Sequence, residues 1–134
     1  MNATVTLGNT DFEMNAVMRQ HEILLDEPAK VGGGDTGPAS MELLCAALGA
    51  CTVATLKMYV NRKEWPVGGI SAEVERTATP NLKPIFTCNI TVKGDFTGEQ
   101  LQRMLNIANA CPVHKALEGS NKIITKLILD GNEV

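Results

Sequence analysis

No basic excess marks this chain. Twelve lysines and arginines stand against fifteen aspartates and glutamates, a net charge of −3. An electrostatic nucleic-acid binder needs a basic stripe, so that class is set aside. Histidine is scarce, with only His21 and His114. The cysteines Cys45, Cys51, Cys88 and Cys111 form no CxxC or CxxxC pair, so a closed zinc site is unsupported and no metal or other cofactor is expected. There is no internal repeat and no low-complexity tract. The longest apolar stretch, Leu43 to Met58, is rich in small residues, interrupted by Lys57, and short for a bilayer span, so no membrane partner is expected. The opening residues Met1-Asn2-Ala3-Thr4 lack the basic and apolar regions of a signal peptide. A cytoplasmic setting is the resulting expectation, and there the thiols would stay reduced.

What remains is an ordinary folded composition. Of 134 residues, 44% are hydrophobic and 20% charged, which suits one domain over residues 1–134 with a core that needs no disulfide or metal. Three short strands are expected first: Ala3 to Leu7, then Phe12 to Met18 with alternating apolar positions, then Glu22 to Asp26. Gly8-Asn9 supplies a turn between the first two, and Glu27-Pro28 ends the third. The run Gly32-Gly33-Gly34-Asp35-Thr36-Gly37-Pro38 must be a loop, with Pro38 placed at the start of a helix.

That helix is the clearest element. It runs from about Pro38 to Lys63, broken by no proline and by the single glycine Gly49. At ~1.5 Å per residue it spans about 40 Å. Leu44, Leu48, Cys51, Thr55 and Met58 recur at helical spacing and share one face. Leu43, Ala46, Ala47, Ala50 and Ala54 widen the apolar surface, so most of the helix is expected to be buried. Trp65-Pro66 ends it. A strand pair follows, Val67 to Thr79 and Ile85 to Val92, turned at Pro80 to Pro84. Thr97 caps a second helix whose apolar face is Leu101, Met104, Leu105 and Ala108. Cys111-Pro112 starts a short third helix closed by Gly119, and Lys122 to Leu129 reads as a last strand. Strands grouped around buried helices give an α+β fold.

Two cysteines draw attention for different reasons. Cys51 sits in mid-helix on the apolar stripe, where burial raises a thiol pKa and a packing role is the commoner one. Cys111 precedes Pro112 at a helix start, close to unsatisfied N–H groups that lower a thiol pKa. Local physics therefore favours Cys111 as the nucleophile, against the alternative that it is a weak cap. Cys45 and Cys51 are about 9 Å and 120° apart on one helix, too far for a disulfide. Cys88 shares the parity of Phe86, Ile90 and Val92 and reads as core. His114 is three residues after Cys111 and could activate it, although an ordinary polar place near a helix end is the commoner role. His21 has no visible partner.

The glycine loop followed by Met41-Glu42-Leu43-Leu44-Cys45-Ala46-Ala47-Leu48-Gly49-Ala50-Cys51-Thr52 resembles the loop and central-helix cysteine of the OsmC/Ohr family. The segment Ala110-Cys111-Pro112-Val113-His114-Lys115 resembles that family's second cysteine motif, and Asp26-Glu27-Pro28 fits as well. The order of elements agrees over essentially the whole chain. The resemblance implies antiparallel sheets around a long central buried helix, in an intertwined homodimer whose sites draw on both subunits. It implies a thiol-dependent peroxidase acting on organic hydroperoxides. Cys51 would form the sulfenic acid, Cys111 would resolve it as a disulfide, and a dithiol, dihydrolipoyl groups in characterised members, would restore both thiols. The resemblance thus reverses the choice that local physics makes between the two cysteines.

Ohr-type members activate the first thiol with an arginine and a glutamate. Their glutamate lies ten residues before it, where this chain has Met41; Glu42 is nine before. That offset turns a helix through about 900° and puts Glu42 on the face opposite Cys51, where a favourable first-turn charge is its simplest role. Arg19 is the only early arginine and lies away from the first hairpin turn. These departures place the chain among the broader OsmC-like proteins. The alternative function is an OsmC-like dimer that holds a small hydrophobic ligand or senses redox state without turnover. A cation within reach of Cys51 discriminates the two.

Overall fold

The computed structural model describes residues 1–134. Its order is three strands, a long helix, two strands, two helices and a terminal hairpin, an α+β arrangement. Strands β1 (Thr4–Leu7), β2 (Met14–Met18) and β3 (His21–Leu25) form an antiparallel meander. Thr4 pairs with Val17, and Ala16 with Ile23. Pairing begins at Met14 rather than Phe12, because Gly8 to Glu13 is spent on the connection, closed by the Gly8 N–H donating to the Glu13 carbonyl at 2.7 Å. The β2–β3 turn is Arg19-Gln20, with Arg19 at φ 57.

Helix α1 spans Ser40–Arg62. Ala39 has no side-chain acceptor to cap it, and the Glu42 carboxylate instead accepts the Ala39 N–H at 2.8 Å. The other end is a Schellman turn: Glu64 takes the left-handed conformation (φ 56), Trp65 N–H donates to Val60 O at 3.0 Å, and Glu64 N–H to Asn61 O at 3.1 Å. Trp65 then stands edge-on to Tyr59, with ring centroids 5.6 Å apart.

Strands β4 (Gly69–Thr77) and β5 (Ile85–Lys93) form a nine-residue antiparallel ribbon, with Val74 opposite Cys88 and Ile70 opposite Val92. Helix α1 lies on β4, and α2 (Gly98–Ala108) and α3 (Pro112–Glu118) pack against α1. Thr97 caps α2 through Gln100 N–H at 3.2 Å, and Gln100 returns a bond to Thr97 N–H at 2.8 Å. The core sits between these elements: Leu56, Tyr59, Val60, Met104 and Ala108, with Ile70, Ile90 and Val92 against it.

Burial of α1 is one-sided, which corrects the expectation of a mostly buried helix. Leu48, Thr52, Leu56 and Val60 form a buried i, i+4 stripe, but Met41, Ala46, Ala47, Ala50, Ala54 and Met58 are exposed. Of 134 residues only 12 are buried, so one chain leaves much of its apolar surface uncovered. The β1–β3 meander makes at most glancing contact with the other elements. The expected last strand over Lys122 to Leu129 is also corrected. Only Ile128–Leu129 (β6) pairs, with Asn132–Glu133 (β7), across the Asp130-Gly131 turn. A strand needs a neighbour for its backbone groups, and apart from the Val134 N–H that donates to Leu127 O at 2.9 Å, this chain brings none to residues 120–127. Ile123, Ile124 and Leu127 there are at least 70% exposed.

Candidate active site

The glycine loop is built around one carboxylate. Asp26 is 1% exposed and accepts the N–H groups of Glu27 (2.8 Å), Gly34 (3.0 Å) and Thr36 (3.2 Å) and the Thr36 hydroxyl (2.8 Å). Burial alone would push its pKa up, but the Thr36 hydroxyl and the backbone N–H groups outweigh this and hold it below the ordinary carboxylate value. The loop also brings Gly33 against the Glu27 backbone, where a Cβ would strike the Glu27 carbonyl. This packing fixes where α1 begins and hence where its cysteines lie.

Cys51 sits midway along α1, partly exposed, one residue before the buried stripe member Thr52. Cys111 arrives after α2 ends. Its N–H donates to Ala108 O at 3.2 Å, its carbonyl accepts Lys115 N–H at 3.1 Å, and the residue becomes the N-cap of α3 ahead of Pro112. Its Sγ accepts the His114 N–H at 3.4 Å and lies 4.0 Å from the Thr52 hydroxyl oxygen. Its exposure is 0%. Both cysteines are free thiols, and they stand close enough for each to shift the other's acidity.

That proximity separates their acidities. Burial raises both. For Cys51 the neighbouring Cys111 raises the pKa further, and the Val113 N–H and the Thr55 hydroxyl offset this only in part, so it stays above the ordinary thiol value. For Cys111 the neighbouring Cys51, then the His114 and Val113 N–H groups and the Thr52 hydroxyl, overcome burial and bring it below that value. Of the two thiols, Cys111 is therefore the more readily ionised. This is the order that the helix-start position of Cys111 suggested on local grounds.

The structure brings Cys51 and Cys111 together and leaves Glu42 and Arg19 apart from them. The Glu42 carboxylate is engaged with Ala39 N–H at the start of α1. Arg19 is exposed at the β2–β3 turn and forms no ion pair in this chain. Neither contributes to the shift at Cys51. His114 serves Cys111 through its backbone, while its imidazole pairs with Glu118 at 3.3 Å. Thr52 was not singled out in the sequence. Its place next to Cys51 gives a weak signal, because helical geometry turns adjacent residues about 100° apart, and only the packing of α3 shows that Thr52 touches the other cysteine.

Two hollows flank α1. One, of about 370 Å³, lies between α1, β5, α2 and α3, and is lined by Leu48, Thr52, Phe86, Cys88, Ile90 and His114 among others. Cys88 is half-buried there, on the same strand face as Phe86 and Ile90, as its parity predicts. The other, of about 1030 Å³, is an open groove along the exposed side of α1 against β4, where Glu42, Cys45, Ala50 and Arg76 lie. No group of three or more His, Cys, Asp or Glu side chains is placed to hold a metal ion.

The family model of OsmC-like protein matches residues 32–126, a span that holds the glycine loop from Gly32 to Pro38 and both cysteine motifs. Solved structures share the fold. A candidate osmotic stress induced and detoxification response protein from Psychrobacter arcticus 273-4 is 23% identical, with 87% of each chain covered and a TM-score of 0.76. The OsmC like protein from Mycoplasma pneumoniae is 21% identical over 88% of this chain and 86% of that chain, with a TM-score of 0.69. The organic hydroperoxide resistance protein OsmC from Legionella pneumophila is 19% identical over 88% of each chain, with a TM-score of 0.64. No curated protein matches the sequence.

Proposed function

We propose that this chain, which belongs to the OsmC-like protein family, is a thiol-dependent peroxidase that reduces organic hydroperoxides through Cys51 and Cys111. One observation carries the reading: a partly exposed thiol and a fully buried one, from distant parts of the chain, stand close enough to shift each other's acidity. In the first step Cys51 gives up its proton to solvent, and its thiolate attacks the terminal oxygen of the hydroperoxide. The O–O bond breaks, the alkoxide takes a proton from solvent and leaves as the alcohol, and Cys51 becomes a sulfenic acid. Cys111 sulfur then attacks Cys51 sulfur and expels water, closing a disulfide. A dithiol reductant, of the lipoyl kind that the family resemblance implies, restores both thiols. Such a cycle suits the reducing conditions of the cytoplasm.

The working unit is a homodimer in this proposal. Support comes from the surfaces one chain leaves open: the apolar side of α1, the unattended β1–β3 meander and the unpaired segment before β6. A second copy would also supply what Cys51 lacks. Arg19 is exposed at a hairpin tip and without an ion pair, so it is available to reach Cys51 of a second copy and favour its thiolate. Glu42 lies on the groove side of α1, so in this proposal it meets such an arginine only across the dimer. Leu48, Phe86 and Ile90 give the neighbourhood of Thr52 an apolar wall suited to an alkyl group.

The order of acidities favours a second reading, a redox-sensing or small-ligand-binding dimer without turnover, because the raised Cys51 pKa and the absence of a neighbouring cation both quiet that thiol. Peroxide consumption separates the two. Reduced protein with excess dithiothreitol is expected to consume cumene hydroperoxide faster than hydrogen peroxide. No consumption of either leaves the sensor.

A further inference from the structure

We infer that Thr52 positions Cys111 as the leaving sulfur of the Cys51–Cys111 disulfide, so that a dithiol opens that bond at Cys51; this rests on the disulfide proposed above.

Access selects the sulfur first. Exchange needs a thiolate to reach one sulfur of the bond. Cys111 has 0% exposure, whereas Cys51 is partly exposed. Leaving-group quality selects the same direction, because a thiolate leaves faster when it is better stabilised. Cys111 Sγ faces the His114 N–H at 3.4 Å and the Thr52 hydroxyl at 4.0 Å.

Thr52 is suited to respond to charge. A hydroxyl has one proton to give, and this one is donated to Leu48 O at 2.9 Å. That carbonyl lies inside α1, where it also has a helical N–H partner, so the hydroxyl can turn away without stranding it. Thr52 is 2% exposed, so water does not compete for the proton. As the disulfide opens, the hydroxyl can swing to the new thiolate and form the stronger charge-assisted bond. The titratable group facing Cys111 from α1 is Cys51, and on α3 the His114 imidazole is turned to Glu118.

The step balances as follows. One sulfur of the dithiol, as thiolate, bonds to Cys51 Sγ while the Cys51–Cys111 bond breaks, and the electron pair leaves on Cys111 Sγ. The second dithiol sulfur then attacks the first, closing the reductant's own disulfide and releasing Cys51. The dithiol loses two electrons, the protein disulfide gains them, and the dithiol's two protons end on the protein thiols.

Diamide can close the disulfide in the wild-type chain with no peroxide present, so a failed peroxidase assay leaves this test intact. Brief exposure to 2-mercaptoethanol, quenching with N-ethylmaleimide and peptide mass mapping then locate the adducts. The mercaptoethanol mixed disulfide is expected on Cys51 and the maleimide on Cys111. The reverse map overturns the inference, as does failure of diamide to join the two cysteines. Thr52→Val is expected to slow opening by about three- to tenfold, with Thr52→Ser near the wild-type rate. In a Cys51→Ser background, thiolate absorbance at 240 nm should appear at higher pH for Thr52→Val but not for Thr52→Ser. Wild-type opening rate and titration in a folded Thr52→Val variant overturn the positioning role.

Discussion

Cys51 on α1 and Cys111 at the cap of α3 stand close enough to move each other's acidities in opposite directions, Cys51 up and Cys111 down. Two such groups release their protons in steps that belong to the pair. With Cys45 and Cys88 replaced by serine, the thiolate absorbance of the reduced protein at 240 nm is therefore expected to rise in two phases, one below the ordinary thiol range and one above it. A single phase at the ordinary thiol pKa in that variant contradicts the coupling of the two thiols.

Asp26 gives an acid-side expectation. Its folded pKa is depressed by the groups that bond to it, so its contribution to stability is present above the unfolded carboxylate pKa, about 3.9. It fades as pH falls through the lower folded value. Asp26→Asn keeps the size but turns an amide donor toward N–H groups. It should lower the Tm by several degrees at pH 7, with the gap to wild type closing as the medium is acidified below that range. A gap unchanged down to pH 2 would show that the carboxylate's charge is immaterial.

Gly33→Ala tests the loop sterically. The added Cβ meets the Glu27 carbonyl, which is backbone and cannot rotate aside. A shift of the loop that starts α1 should cost about 1–3 kcal/mol in urea unfolding. Gly98→Ala, where a Cβ meets nothing within 4 Å, is the control and should be neutral or slightly stabilising.

Much of this fold was legible because local chemistry decides it. The Thr97 cap, the end of α1 before Trp65, the α3 start at Pro112 and the parity of Cys88 all depend on residues a few positions apart, and each falls where the pattern places it. What the pattern could not give depends on distant partners. The Lys122 to Leu129 run has strand composition but lacks a neighbour in this chain, so only its last two residues pair. The alanine face of α1 reads as buried because it is apolar, yet nothing in one chain covers it. The Cys51–Cys111 pairing came from family resemblance, and the contact of Thr52 with Cys111 came only from packing.

That alanine face supplies a prediction about assembly. Ala50 is exposed and lines the groove between α1 and β4. A glutamate there would bury uncompensated charge if a second copy covers the face. Ala50→Glu is expected to weaken self-association by about tenfold or more, read by sedimentation, and to lower peroxide consumption with it. Unchanged sedimentation places the partner surface elsewhere.

The most direct measurement is peroxide consumption by wild type, Cys51→Ser and Cys111→Ser, with dithiothreitol as reductant and cumene hydroperoxide as substrate. Wild type should turn over repeatedly. Cys51→Ser should fall at least about a hundredfold, as loss of an attacking nucleophile does. Cys111→Ser should consume one equivalent in the absence of dithiothreitol and hold a sulfenic acid on Cys51 that dimedone labels. Full activity in Cys51→Ser, or dimedone labelling on Cys111 in that variant, would contradict the assignment of Cys51 as the thiol that meets the peroxide.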